Sequence, residues 1–149
     1  MSDPAPTKQL IVQKVYVKDA SLEVPLAPQV FTRQWQPQLD VQVTSGLLGM
    51  NAEQHQVLLT LTVTAKLEQD VAFLVEVQQA GVFMLRGYAD EQERNRALGA
   101  ECLSILFPFA RETVADLVQR GGFPQLLLQP VDFGALYDEH QRKSGAAEH

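Results

Sequence analysis

Between residues 56 and 66 apolar and polar side chains take turns: Val57, Leu59, Leu61, Val63 and Ala65 alternate with Gln56, Thr60, Thr62, Thr64 and Lys66, and only Leu58 interrupts the polar side. A period of two is that of a strand with one face buried. After a short polar turn at Leu67 to Gln69 the alternation resumes, with Val71, Phe73, Val75 and Val77 on one face and Asp70, Ala72, Leu74, Glu76 and Gln78 on the other. This predicts the second arm of an antiparallel hairpin. QLDVQVT is a third strand, with Leu39, Val41 and Val43 opposite Asp40, Gln42 and Thr44; LIVQKVYVKD is a fourth whose alternation slips near Gln13, as at a bulge.

From Asp90 onward the period changes. In FARETVADLVQRGG the apolar set Ala110, Val114, Leu117 and Val118 has helical spacing, and Gly121 and Gly122 stop the helix. Pro108 suits a first helical turn, which predicts two helical pieces within residues 91–120. A last helix is expected to start with Asp132 as N-cap and to bury Phe133, Leu136 and Tyr137. Strands followed by helices predict an α+β fold, a four-stranded antiparallel sheet with helices packed on one face. Residues 1–8 and 144–149 read as flexible tails around a single domain at 9–143.

Two segments do not fit this scheme. Residues 24–37 carry Pro25, Pro28 and Pro37, and residues 121–130 carry Pro124 and Pro130, so both read as irregular loops. Yet they hold Val30, Phe31, Trp35, Phe123, Leu126, Leu127 and Leu128, a heavy apolar load for surface connections.

Composition narrows the function. Twelve Lys and Arg against eighteen Asp and Glu give a formal charge of -6, with no basic cluster, which disfavours nucleic-acid binding. The one cysteine, Cys102, forms no intrachain disulfide and suits a reducing compartment; neither a secretory start nor a membrane-length apolar run is visible, so the expected location is the cytosol. The three histidines, His55, His140 and His149, give Cys102 no evident base, and no HExxH, CxxC, GxxxxGK or GxGxxG motif occurs. Asp19, Glu23 and Glu76 remain open as an acid and base pair, although a solvated strand face is the plainer reading. The expectation is a non-enzyme with no cofactor or metal.

The stretches VYVKDASLE, WQPQLDV, TVTAK, AFLVEVQQAGVF, ILFPFARE, RGGFPQL and PVDFGALY, in that order, resemble the SecB family of export chaperones from about Val15 to Tyr137. The resemblance implies a homotetramer, a dimer of dimers, that binds unfolded preproteins in apolar grooves without ATP and delivers them to the export ATPase SecA. It places a peptide groove on the two proline-containing loops, with Phe31, Trp35, Phe123, Leu126 and Leu128 as lining. It places SecA contacts at Asp19, Glu23, Leu74 and Glu76, and, on the opposite face, at Val75, Val77 and Gln79, contacts that hold the two dimers together through the long helix, with ordinary packing of sheet on helix within one subunit as the alternative for the valines. The chain departs from the family at Glu101, where an aromatic residue is usual, and at Leu103 and Ser104, where a Pro-Asn pair is typical. Arg142 and Lys143 in the tail speak against an auxiliary SecA contact there. Alternative readings are a SecB-like chaperone dedicated to another client, such as an antitoxin, or a small enzyme or acyl-ligand carrier.

Overall fold

The computed structural model of the chain describes residues 7–147. Along the chain it holds β1 (Gln9–Glu23), a 3-10 turn (Gln29–Thr32), β2 (Gln38–Gly49), β3 (Gln54–Leu67), β4 (Asp70–Arg86), α1 (Glu91–Arg96), a π-helical turn (Ala97–Glu101), α2 (Cys102–Arg120) and α3 (Phe133–Ala147). The strands make one antiparallel sheet in the order β1-β4-β3-β2, with the helices on one face, so the fold is α+β as the alternation predicts. The slip near Gln13 is a register shift between Val12 and Lys14, and β1 has a second shift between Val17 and Asp19.

The pairing register sorts side chains into rows, because directly paired residues share a face. Val41, Val63, Val75 and Leu22 form one inward row; Val43, Leu61, Val77 and Ala20 form the next. Residues of these rows on β3 and β4 are fully buried. Val71 departs from the predicted face. A register shift beside Ala65 pairs Val71 with the exposed Lys66 and leaves both Ala72 and Phe73 buried, so Val71 lies on the outer side.

Helix α2 covers the inner face through Cys102, Leu106, Ala110, Val114 and Val118. Its closest seat is at Gly81 on β4, where a Cβ would come within 2.9 Å of Leu106 Cδ2 and 2.7 Å of the Phe83 ring. Two expectations are corrected here. Pro108 does not begin a helix but lies inside α2, exposed, and the helical run is continuous from Glu91 with the π turn as its irregularity. A proline whose ring faces solvent can stay in a helix that packs along its whole length. Leu136, expected to be buried, is exposed on α3, while Phe133 is buried and Asp132 accepts a hydrogen bond from the Ala135 amide at 3.0 Å.

The boundaries also shift. Lys8 pairs with Glu93 and stands 5.9 Å from the Tyr88 ring centroid, so it is tied to the domain. Helix α3 continues through Ala147; residues 1–6 and 148–149, the rest of the expected tails, lie outside the described residues.

His55 sits at the start of β3, paired with Phe83, and its Nε2 is buried without a hydrogen-bond partner. Burial first, and the charge of Arg94 second, hold its pKa below the ordinary 6.5.

Two measurements test this account. Gly81→Ala is expected to cost about 1–3 kcal/mol in urea unfolding, because the added methyl forces α2 off the sheet. For His55 the folded pKa lies below the unfolded one, so the unfolded chain takes up the proton first as pH falls through 6.5. Its contribution is therefore intact above that value and declines below it. His55→Gln is expected to flatten the loss of stability between about pH 7 and about pH 5.

Candidate functional site

The two loops that carried surplus apolar residues form two neighbouring features. Phe31 and Trp35, from the segment between β1 and β2, meet Phe123, from the segment between α2 and α3. Ring centroids are 5.3 Å apart for Phe31–Phe123, 5.0 Å for Trp35–Phe123 and 5.1 Å for Phe73–Phe123. Phe123 is the buried floor, Trp35 is half-buried, and Phe31 is 49% exposed as an outer cover. Arg33 holds this loop in place: its Nη1 donates to Asp70 Oδ2 at 2.9 Å and its Nη2 to the Leu67 carbonyl at 3.3 Å. Gly122 lets Phe31 lie where it does. Its φ is +93°, and a Cβ there would come within 2.9 Å of the Phe31 ring.

Leu126 and Leu128 belong to the second feature, a trough of about 480 Å³ between β2 and the 121–132 segment. Leu39, Val41 and Val43 of β2 form one wall, and Leu126, Leu127, Leu128 and Val131 the other, with Phe107 also lining it. Leu128 is buried, Leu126 half-buried, and Leu127 projects at 64% exposure. The five expected groove residues are thus divided: three gather with Phe73 in the aromatic cluster and two line the trough. The contribution of β2 was missed. Its inward alternation was visible, but nothing in the alternation says that no helix covers it.

The outer face of the sheet is different in kind. Asp40, Thr64, Leu74 and Glu23 form one row across all four strands; Gln42, Thr62, Glu76 and Ser21 form the next; Thr44, Thr60, Gln78 and Asp19 the third. Leu74 is therefore an apolar point flanked by Glu23 and a threonine, with Glu76 in the adjoining row, where Thr62 Oγ1 lies 3.4 Å from its carboxylate. Register brings Asp19, Glu23, Leu74 and Glu76 onto one uncovered face.

Val75, Val77 and Gln79 lie opposite Leu74 and Glu76, beneath the long helix α2 of the same chain: the valines have no exposed surface and Gln79 is 2% exposed. Gln79 Nε2 donates to the Tyr16 carbonyl at 3.0 Å, while its Oε1 is buried without a hydrogen-bond partner. Enclosed in this way, the three side chains can bear on another copy only through α2.

Cys102 is fully buried, and burial pushes its thiol up to about 12 with Glu101 adding to the shift, so it is no nucleophile near neutral pH. Among the described residues no cluster of His, Cys, Asp and Glu has a metal-binding arrangement, and no helix is long and apolar enough to cross a membrane.

Residues 3–144 match the family model described as preprotein translocase subunit SecB. The chain belongs to the SecB family. It is 49% identical to the protein-export protein SecB of Nitrosococcus oceani, over 99% of this chain and 92% of that one. The SecB of Hydrogenovibrio crunogenus is 47% identical over 96% of this chain and 95% of its own. Among solved structures, a SecB-like chaperone of Mycobacterium tuberculosis, held in complex with an antitoxin peptide, has a TM-score of 0.69 at 18% identity, covering 82% of this chain and 90% of that one. At that identity the likeness concerns the fold. The protein is thus a member of a protein-export chaperone family with a SecB-like α+β fold.

In Gly122→Ala the new methyl displaces Phe31 and the positive φ becomes strained, at a cost of about 1–2 kcal/mol. Because Trp35 is the only tryptophan, its emission reads the cluster directly, and a red shift is expected in the native variant. An unchanged spectrum would show that Phe31 does not shield the cluster.

Proposed function

We propose that this SecB-family protein is a cytosolic, ATP-independent chaperone that keeps unfolded preproteins soluble and hands them to SecA. The observation that carries the reading is the partly open apolar lining: Leu39 at 44%, Val41 at 43% and Leu127 at 64% exposure along the β2 trough, and Phe31 at 49% over the aromatic cluster. Unfolded chains share no sequence, but they share exposed apolar side chains, which such a surface recognises without directionality. Burying on the order of 1,000 Å² of apolar area is worth about 25 kcal/mol gross. Ordering the client takes back most of it, which leaves roughly 8 kcal/mol, or micromolar binding, for each engaged surface. Several such surfaces in one oligomer add avidity for a long client.

SecA is proposed to dock on the outer face, where Asp19, Glu23 and Glu76 surround Leu74 and attract a basic surface in a salt-sensitive way. The dimer of dimers also remains part of the proposal. With Val75, Val77 and Gln79 enclosed, the surface available for it includes the free edge of β1, where Ile11, Val12 and Val17 are each 37–46% exposed, and Phe109 on α2.

The test separates the two surfaces. Trp35→Ala is expected to weaken suppression of precursor aggregation, measured by light scattering without ATP, and to leave SecA binding nearly intact. Glu76→Lys is expected to weaken SecA binding roughly tenfold in low-salt titrations while client binding changes little. If Glu76→Lys binds SecA as the parent does, the outer face is not the docking site; if the parent protein fails to hold any unfolded precursor, the chaperone reading is wrong.

A further inference from the structure

Leu58 is the one apolar residue on the polar side of β3, and the pairing register shows what stands beside it. Gly46, Leu58, Ala80 and Tyr16 form one outward row across the four strands; Leu48, Gln56, Val82 and Lys14 form the next; Gln54, Met84 and Ile11 close the face. The outer side of the sheet therefore has two halves. In the three rows around Glu76 the only apolar member is Leu74, whereas beyond Gln78 the middle of the face is Leu48, Leu58, Ala80, Val82 and Met84. Leu48 is 59% exposed, and Leu58, Val82 and Met84 are half-buried with every helix on the opposite face.

A fixed polar rim bounds the apolar half. Asn51 Nδ2 donates to Gln54 Oε1 at 2.6 Å, Gln54 Nε2 donates to Gln13 Oε1 at 2.7 Å, and Gln13 Nε2 lies 4.0 Å from Met84 Sδ. Amides thus run from the β2–β3 turn to the register shift in β1. The Tyr16 hydroxyl donates to Gln56 Oε1 and joins the two apolar rows. An apolar centre inside a polar rim is the anatomy of a protein interface, and side chains that already hold one another lose little freedom on binding.

Area decides how the two halves are used. Four strands about 4.8 Å apart give a face roughly 19 Å wide, so the three acidic rows, about 17 Å long, outline roughly 320 Å². A specific complex takes about 800 Å² from each partner. Continued to Met84, the face is about 37 Å long and about 700 Å² in outline, close to that requirement.

We propose that the docking surface for SecA extends from the acidic rows onto Leu58, Val82 and Leu48, and that the matching surface of SecA is basic at one end and apolar at the other. The proposal rests on the SecA reading above and adds to it a component of affinity that salt does not screen. Lys14, which joins no ion pair among the described residues, stands in the apolar half, and Asp19, Glu23 and Glu76 stand in the other. The face is therefore polarised along its strands, which favours one orientation of a partner with a basic end.

The experiment combines Leu58→Thr with Val82→Thr. Threonines already occupy positions 60, 62 and 64 on the same side of β3, so the substitutions extend an existing pattern and leave the inner face untouched. SecA is titrated against variant and parent at about 50 mM and about 500 mM salt, the second of which confines exposed charges to a few ångströms. The double variant is expected to bind about tenfold more weakly than the parent at both, with the same salt dependence and with unchanged suppression of precursor aggregation. Equal affinity of variant and parent at high salt overturns the proposal, as does a parent that binds SecA at low salt and not at all at high salt. A parent that fails to bind SecA even at low salt removes the docking reading itself. Leu48→Gln, at an exposed edge position that cannot disturb the core, repeats the test independently of folding: about threefold weaker binding at high salt is expected, and parental affinity there counts against the apolar half.

Discussion

One long helix cannot cover four strands, and the open surface of this protein follows from that mismatch. A helix with its side chains is about 10–12 Å across, whereas neighbouring strands are about 4.8 Å apart, so a single helix shields little more than two of them. Gly81 decides which two. By letting Leu106 and Phe83 close on the backbone of β4, it seats α2 over β4 and β3, with a lesser approach to β1. The row Val41, Val63, Val75 then records the outcome in one line: the β3 and β4 members have no exposed surface, while Val41 on β2 is 43% exposed. Chemically the three residues are the same. Their position relative to the helix makes two of them core and leaves the third open.

The two faces of the sheet use different parts of physical chemistry, and for that reason they can act independently. On the inner side the exposed lining is apolar and non-directional, suited to partners defined by what they lack in folded structure. On the outer side the threonine and glutamine rows offer polar positions around Leu74, with acids at Asp19, Glu23 and Glu76, and the net charge of -6 adds a long-range field of the same sign. An apolar surface of the first kind attracts in proportion to buried area, and an acidic one of the second kind through charge and salt. A residue of β4 contributes to one or the other according to parity alone, as Val75 and Glu76 illustrate.

This parity was legible in the sequence, because a strand with one buried face announces its period. The β3–β4 hairpin, the slip in β1 and the Asp132 cap were readable for similar local reasons. What covers a face is a different question, and alternation does not answer it. Val75, Val77 and Gln79 lie on the side of the sheet that the alternation gives them, but only the three-dimensional arrangement shows that α2 of the same chain encloses them. The same gap hid the role of Leu39, Val41 and Val43, which looked like ordinary core. Pro108 misled in the opposite way: a local rule predicted a break, and packing of Leu106, Phe107 and Ala110 on either side of the proline kept the helix continuous. Family resemblance supplied the loops as a groove; the division into an aromatic cluster and a β2 trough required the three-dimensional arrangement.

A protein that offers apolar surface to strangers must also avoid adhering to itself. An uncovered edge strand with leucines and valines on its inner side is the kind of element that promotes strand-to-strand association. Here the inward residues of β2 are flanked by the 121–132 segment at one end and by α3, with Tyr137, at the other. Short apolar stretches remain accessible, while a long flat partner such as a second β2 edge meets a charged helix carrying Asp138, Glu139, Arg142 and Lys143. A helix attached by two aromatic contacts and an exposed ion pair suits that task, since its charged outer side screens the edge. The recess and its charged rim thus come from one element, buried at Phe133 and exposed from Asp138 to Ser144.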